Sequence, residues 1–565
     1  MSDLPEPVRA FLDQGGEQLV LATGTTPALA GAVILPEPAY SGKYARVLVA
    51  VRDRADLRAA VVPHAVRAPV VAVWVASLPS SPGFLPRPEW PPMKAFRTQP
   101  VADGYLVVAR FEQPVRAANV VRELGRQSVW PGPAVAGGLV VDDGSGPVEA
   151  VEERTVPPDV VLRSSGPFAE HLVTGRAPVP EHDLDAALPP FPLDERVLNP
   201  IGFLADVDGP VVTLESLMSG GLESQVPSEA LVRSLRNARG VPGDHLASLR
   251  AGFLVTGLAM AGVPVSVSTV AGEVAAVLGP AMVDALTAPV DLDDALAREE
   301  HSVVLRRVAL RTFSSGAWRR RVAGAIGVRV APQPSVSVVL ATKRPEMLAF
   351  ALRQVRKQRG VDLQLVLAPH GFTPDADVLQ EVGPESVVVR PNDESVLFGD
   401  VLADAVTAAD GDLVLKMDDD DWYGPDFVAD LLLARAYSGA ELVGTPSELH
   451  YLMPRDVTVR RGHRAELYAH FVAGGTMLVD RGLLRSVGSF RSVRKYVDAQ
   501  LLHAVGQAGA AIYRTHGLGY LLRRNASGHT WEVDMDYLLD PVRTTDVRPG
   551  FAPSRLLAFD ESERP

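Results

Sequence analysis

Short apolar runs, each about the length of one strand, alternate with stretches of helical periodicity along most of the chain. Arg46-Val-Leu-Val-Ala-Val51 and Val70-Val-Ala-Val-Trp-Val75 read as buried strands, and residues 53–62 between them carry a helical pattern, which predicts a βαβ unit. Tyr105-Leu-Val-Val-Ala109 predicts another strand, followed by a helix over 115–127. The proline-rich stretch 79–92 predicts an irregular loop, and Gly137-Gly138 and Asp142-Asp-Gly-Ser-Gly146 predict turns. Residues 150–200 are rich in proline and acids and read as a surface connector. Beyond it, Val211-Val-Thr-Leu214 and Val263-Pro-Val-Ser-Val267 predict strands, and 246–260 a helix. Residues 291–325 predict a long helix or a helix pair, acidic early and basic late, an order that complements a helix macrodipole. Its late cluster Trp318-Arg-Arg-Arg321 suits a solvated helix end or contact with an anionic surface. Val330-Ala-Pro-Gln-Pro-Ser335 reads as a boundary.

After that boundary the alternation sharpens. Strands are predicted at Val336-Ser-Val-Val-Leu340, 363–367 and Val387-Val-Val389, with helices over 347–358 and 401–409. This succession predicts a mostly parallel sheet covered by helices. One run breaks the pattern: Leu413-Val-Leu-Lys-Met-Asp-Asp-Asp-Asp-Trp-Tyr-Gly-Pro-Asp-Phe427 goes from a buried strand into four consecutive acids, a Gly-Pro turn and a helix start. The carboxyl ends of strands are where open α/β sheets place ligands. Acids packed this closely repel one another unless a cation joins them, and Mg²⁺ or Mn²⁺ is the hard cation that oxygen donors and substrate phosphates share. A solvated acidic turn and a Ca²⁺ loop are the plainer alternatives, although the EF-hand spacing is missing.

Composition narrows the choices. The 565 residues exceed one core and suggest three or four domains. The reading is an α/β chain with a region of one or two domains (1–150 and 151–330), a domain over 331–540 and a tail over 541–565. The sequence contains no cysteine, which excludes disulfides, thiolate metal sites and a cysteine nucleophile. The net charge of −13 argues against nucleic-acid binding. The acidic start Met1-Ser-Asp-Leu-Pro-Glu-Pro lacks the features of a signal peptide, and no apolar run reaches the ~20 residues of a membrane span. A cytoplasmic protein is expected, with room for peripheral contact at the inner membrane face.

Over residues 335–539 the motifs resemble, in order, the family 2 glycosyltransferases, which have the GT-A fold. Met417-Asp-Asp-Asp-Asp-Trp-Tyr-Gly-Pro425 resembles their Asp-X-Asp motif, with Asp418 and Asp420 as its acids. Val336 to Pro345 is similar to the first nucleotide-binding strand and loop, and Phe398-Gly-Asp-Val-Leu-Ala-Asp-Ala405 to the helix before the metal motif. Ala473-Gly-Gly-Thr-Met-Leu-Val-Asp-Arg481 and Val487-Gly-Ser-Phe490 resemble the acceptor-side strand and turn. Lys495-Tyr-Val-Asp-Ala-Gln-Leu501 resembles the helix that carries the base, and Gly528-His-Thr-Trp531 a closing motif at the diphosphate. The resemblance implies a Rossmann-like, mostly parallel sheet with helices on both faces, and an inverting transferase that uses Mn²⁺ or Mg²⁺. It implies Asp498 as catalytic base, or else as a helix N-cap. It implies Thr342, Arg344, Asp418 and Asp419 at the nucleotide-sugar, and Trp422, Gly474 and Gly475 at the acceptor. Asp420, Asp418 and His529 are implied at the metal. Ala368-Pro-His-Gly371 stands where the family has an Asp that reads the nucleobase, which leaves His370 or a backbone group for that task.

The expected partners are a UDP-, dTDP- or GDP-sugar and a glycan, lipid-linked or small-molecule acceptor. Leu258-Ala-Met-Ala-Gly-Val-Pro-Val265 with Glu273 faintly resembles GT-B glycosyltransferases, and a buried helix–turn–strand is the plainer account. Two alternatives remain. A sugar-nucleotide nucleotidyltransferase would want glycines after the first strand, which Ala341-Thr-Lys-Arg344 lacks. A non-catalytic scaffold would not need Asp418, Asp420, Asp498 and His529 together.

Overall fold

The structure, a computed structural model, describes residues 4–23, 29, 31–35, 40–78, 90–91, 93–127, 139–142, 160–164, 170–174, 193–219, 227–314, 316–317, 320, 333–382, 386–525, 535–559 and 563–564. The fold is α/β. The chain forms two compact units, one of residues 1–192, 315–332 and 485–488, the other of 193–314, 333–484 and 489–565. The turns expected at 137–138 and 142–146 and the loop at 79–92 fall almost wholly outside the described residues. So do the Trp318 cluster and the His529 motif. Among the described residues no helix is long and apolar enough to cross a membrane.

The first unit is built on a seven-stranded sheet. Val33–Leu35, Gln18–Thr23, Arg46–Val51 and Val66–Val75 run parallel in that order, and the hairpin Gly104–Arg116 and Met93–Val101 adds two antiparallel strands. Arg46–Val51 is buried from Val47 onward, as a central parallel strand covered on both faces must be. The helix between the two central strands is Arg54–Ala59, and Asp53 caps it by accepting from Asp56 N at 3.0 Å. Val120, Val121 and Leu124 of helix Ala117–Gln127 join the core of this sheet.

The second unit contains an eight-stranded sheet. Val387–Val389, Leu363–Pro369, Val336–Thr342 and Leu413–Met417 are parallel neighbours. Leu478–Asp480 then enters antiparallel between Leu413–Met417 and Leu442–Gly444. Ile512–Arg514 and Leu467–Tyr468 close the row. A second sheet of five strands begins at Trp422–Tyr423 and continues through Tyr520–Arg524. The chain thus leaves the main sheet at Met417 and joins the other at Trp422, and the four acids occupy the step between them.

Residues 193–314 form part of this same unit. The reason is the helix Ala295–Phe313. Its charges do more than complement the dipole: Arg298, Glu299, Glu300 and Arg306 are buried. Arg306 pairs with Glu466, and Arg460 bridges Glu299 and Glu448. Arg307 holds Asp430 at 2.7 Å and Asp426 at 3.0 Å. Asp294 caps the helix through the amides of Leu296 and Ala297. The predicted strand at Val211 is only an isolated bridge to Gly240, because a helix begins at Leu214. The 258–265 segment is a buried helix end, a Gly262 turn at φ +83° and the start of strand Val265–Val270, with Glu273 exposed.

Candidate active site

The acidic turn is pinned at its far end. Gly424 N donates to Gly519 O at 2.8 Å, and a Cβ at Gly424 would collide with Leu556 O. Asp421 is buried and accepts from Tyr520 Oη at 2.6 Å and Arg523 N at 2.9 Å. Burial pushes its carboxyl well above the ordinary range, and the charges of Asp420 and Asp418 add to that. Asp421 therefore fastens the turn to the second sheet.

Trp422 corrects one expectation. It has no solvent-accessible surface, donates Nε1–H to Glu563 O at 2.9 Å and packs against Phe350, Tyr451 and Phe551. An indole enclosed in this way cannot line an acceptor groove. The next residue, Tyr423, is also buried but serves the site: its Oη accepts from Asp418 N and donates to Gly475 O, both at 2.9 Å.

Asp419 and Asp420 face the first strand and its loop. Thr342 Oγ1 donates to Asp419, and the Arg344 guanidinium donates to Asp419 through Nε (3.1 Å) and Nη2 and to Asp420 through Nη1 (2.8 Å). Burial raises the Asp419 carboxyl above its ordinary range, although Arg344 opposes it. Burial would lower the Arg344 guanidinium, but Asp419 and Asp420 more than reverse this. His370 lies next to this loop, its backbone N donating to Thr342 O at 2.8 Å.

Asp418 faces the other way. Lys416, buried in a strand that is otherwise apolar, places Nζ 2.6 Å from Asp418 Oδ1 and 3.4 Å from Asp498 Oδ1. Burial alone would lower the ammonium, yet the two carboxylates hold it above its usual value. Asp498 does not cap its helix: Val497–Gln507 begins after Tyr496, which has φ +64°, and no side chain caps it. Asp498 Oδ1 is buried with Lys416 as its ion-pair partner, while 37% of the side chain is exposed. Burial raises its carboxyl above the ordinary range, Lys416 opposes that and the Asp418 charge adds to it. The turn Gly474–Thr476 closes over both acids. A Cβ at Gly474 would collide with Asp498 Oδ2, and one at Gly475 would lie 2.7 Å from Asp418 Oδ2. Only residues without a side chain allow this approach.

The structure thus brings together Thr342, Arg344, Asp418, Asp419, Asp420, Gly474, Gly475 and Asp498. It separates Trp422 from them, and His529 lies outside the described residues. Lys416, Tyr423 and Arg523 were not singled out from the sequence. Lys416 had a signal: one cation in an apolar, both-faces-buried strand needs an anionic partner. Chemically, the arrangement offers hard oxygen donors on one side and a carboxylate open to proton transfer on the other.

A scan of the sequence against protein-family models gave no match, and a search of curated proteins gave none. Among solved structures, the chain is similar to the mannosyltransferase PcManGT from Pyrobaculum calidifontis in complex with GDP-Man and Mn²⁺ (14% identity, TM-score 0.28), over 35% of this chain and 59% of that one. It is also similar to S. aureus TarS 1-349 (14% identity, TM-score 0.27), over 34% of this chain and 60% of that one. The same protein in complex with UDP-GlcNAc matches at 13% identity and a TM-score of 0.28, over 35% and 61%. The chain therefore spans about three fifths of the length of each.

Proposed function

We propose that this site transfers a glycosyl group from a nucleoside-diphosphate sugar to an acceptor hydroxyl, with inversion at the anomeric carbon. The observation that carries the reading is the pair of carboxylates that Lys416 joins beneath the Gly474–Thr476 turn. Asp418 ends the central strand and belongs to the donor side. Asp498 comes from another element and is open to solvent over a third of its side chain, while its buried Oδ1 is paired with Lys416 Nζ at 3.4 Å. An acceptor hydroxyl is a poor nucleophile until a carboxylate takes its proton as the new bond forms, and Asp498 is positioned for that task.

On the donor side, Asp418 and Asp420 are the residues that would hold Mg²⁺ or Mn²⁺. Among the described residues no three carboxylate or imidazole groups form a metal cluster. Two carboxylates, with substrate phosphates and water, are what such an ion ordinarily draws upon; each is held here by a protein cation, Asp418 by Lys416 and Asp420 by Arg344, which the ion would have to displace. Bound there, the ion would supply charge stabilisation to the departing diphosphate. Thr342 and Arg344 anchor Asp419 and Asp420 to the first-strand loop, where the nucleotide is expected. Gly474 and Gly475 let their turn come close to Asp498 and Asp418, beside which the acceptor is expected.

A thermal-shift screen of UDP-, dTDP- and GDP-sugars with Mg²⁺ or Mn²⁺ tests the reading. A ligand at a hundred times its dissociation constant stabilises the fold by about 2.7 kcal/mol. The wild type should shift with at least one sugar nucleotide plus metal, and Asp420→Asn should lose the metal-dependent part. A flat response of the wild type to the whole panel would remove the donor assignment.

A further inference from the structure

Two guanidinium groups lie at the acidic turn, and they are held differently. Arg344 is committed to Asp419 and Asp420. Arg523 is not: its Nε is buried without a hydrogen-bond partner, and no carboxylate among the described residues forms an ion pair with it. Its guanidinium carbon lies 4.1 Å from the centroid of the Trp422 ring and 4.8 Å from that of Phe350. Its backbone N is fixed by Asp421, and both rings belong to the core. Burial lowers its pKa, the charges of Asp420, Asp421 and Asp419 oppose this, and Arg344 adds to it, so the group senses the turn on every side.

A half-buried guanidinium without an anionic partner is costly to keep. Stacking on aromatic faces returns part of that cost and fixes the plane of the fork without using its N–H donors. What remains is a pre-oriented cation, unpaired among the described residues, beside the carboxylates of the donor side. We propose that Arg523 is a binding residue for the diphosphate of the donor, with its N–H groups donating to phosphate oxygens. The inference rests on the donor reading above and extends it to a residue on another strand. It also gives the enclosed Trp422 a purpose: the indole is the platform for Arg523, and neither ring need touch the acceptor.

The test uses the full chain and calorimetric titration with Mg²⁺ present. The probes are UDP and GDP, the corresponding monophosphates UMP and GMP, and inorganic pyrophosphate. Hydrogen bonds to charged groups imply that Arg523→Met weakens diphosphate and pyrophosphate binding by roughly ten- to a hundredfold. Monophosphate binding should fall by less, because one phosphate offers the planar fork fewer oxygens than two. Arg523→Lys keeps the charge and the stacking stem but loses the planar fork, so it should retain the wild-type melting temperature and recover only part of the affinity. Unchanged diphosphate affinity in both variants would show that Arg523 is merely packed against the rings. Equal weakening of mono- and diphosphates would overturn the assignment too. If the wild type binds neither a diphosphate nor pyrophosphate, the donor reading itself fails and this inference falls with it.

Discussion

Two charged clusters of the second unit make an instructive pair. Beneath the Ala295–Phe313 helix, Arg306 and Glu466 are enclosed, and Tyr437 Oη and Tyr513 Oη donate to Glu466 at 2.7 and 2.8 Å. Nearby, Glu299, Glu448 and Arg460 are likewise buried. At the acidic turn, by contrast, the side chains of Asp418 and Asp498 are each more than a third exposed, although the Lys416 between them is buried. Closed charges have no exchange partner, so they set stability. Half-open charges can trade a protein cation for a ligand, so they can do chemistry. The two clusters look alike as strings of Asp, Glu, Arg and Lys and differ in their exposure.

The harshest way to break the comparison is to remove the cations of the closed cluster together. A fragment beginning at Gln333 lacks the whole Ala295–Phe313 helix: Glu466 loses Arg306, while Asp426 keeps Arg359 and Asp430 keeps His516. Losing the partner of one buried charge costs about 3–5 kcal/mol before the lost helix packing is counted, against a total stability of roughly 5–15 kcal/mol. The fragment should be insoluble or lack a cooperative unfolding transition by circular dichroism. A soluble fragment that melts cooperatively would mean the helix is dispensable.

Single substitutions sharpen the contrast. Arg306→Met should cost about 3–5 kcal/mol in denaturant unfolding. Lys416→Met should cost only about 1 kcal/mol, because water can reach both carboxylates, while kcat falls about tenfold or more as they repel each other. Equal losses of stability in the two variants would erase the distinction between the clusters.

A smaller effect concerns pH. Burial and the neighbouring Glu448 raise Glu299 to about 8, against the opposing pull of Arg460. The folded state therefore keeps a proton that the unfolded chain has released, so stability falls as pH rises from about 4.5 to about 8. Glu299→Gln should flatten that fall and raise stability at pH 8. An unchanged pH profile of the melting temperature would show that Glu299 is ionised in the fold.

Much of this was legible in the sequence where a signal is local. Val336–Thr342, Leu363–Pro369 and Leu413–Met417 are apolar runs because parallel strands are covered on both faces, and they appear where the runs lie. The acids of residues 418–421 were conspicuous for the opposite reason. What depends on distant partners was hidden. An aromatic that follows a strand reads the same whether it faces a groove or the core, and Trp422 was decided by Phe350, Tyr451 and Phe551. The charges of the Ala295–Phe313 helix read only as a match to its dipole because their partners, Glu466 and Arg460, lie some 160 positions away. Asp498 was found by motif order, but its pairing with Lys416 emerged only from the fold.

The most direct measurement is glycosyl transfer and donor binding by Asp498→Asn beside the wild type. The substitution keeps the shape of the side chain and removes the charge that takes the proton. It should fold normally and bind the sugar nucleotide with metal as the wild type does. Transfer should fall by roughly 10²–10⁴-fold, and the wild-type product should carry the inverted anomeric configuration. Normal turnover by Asp498→Asn, or a wild-type product that retains the donor's configuration, would contradict the account.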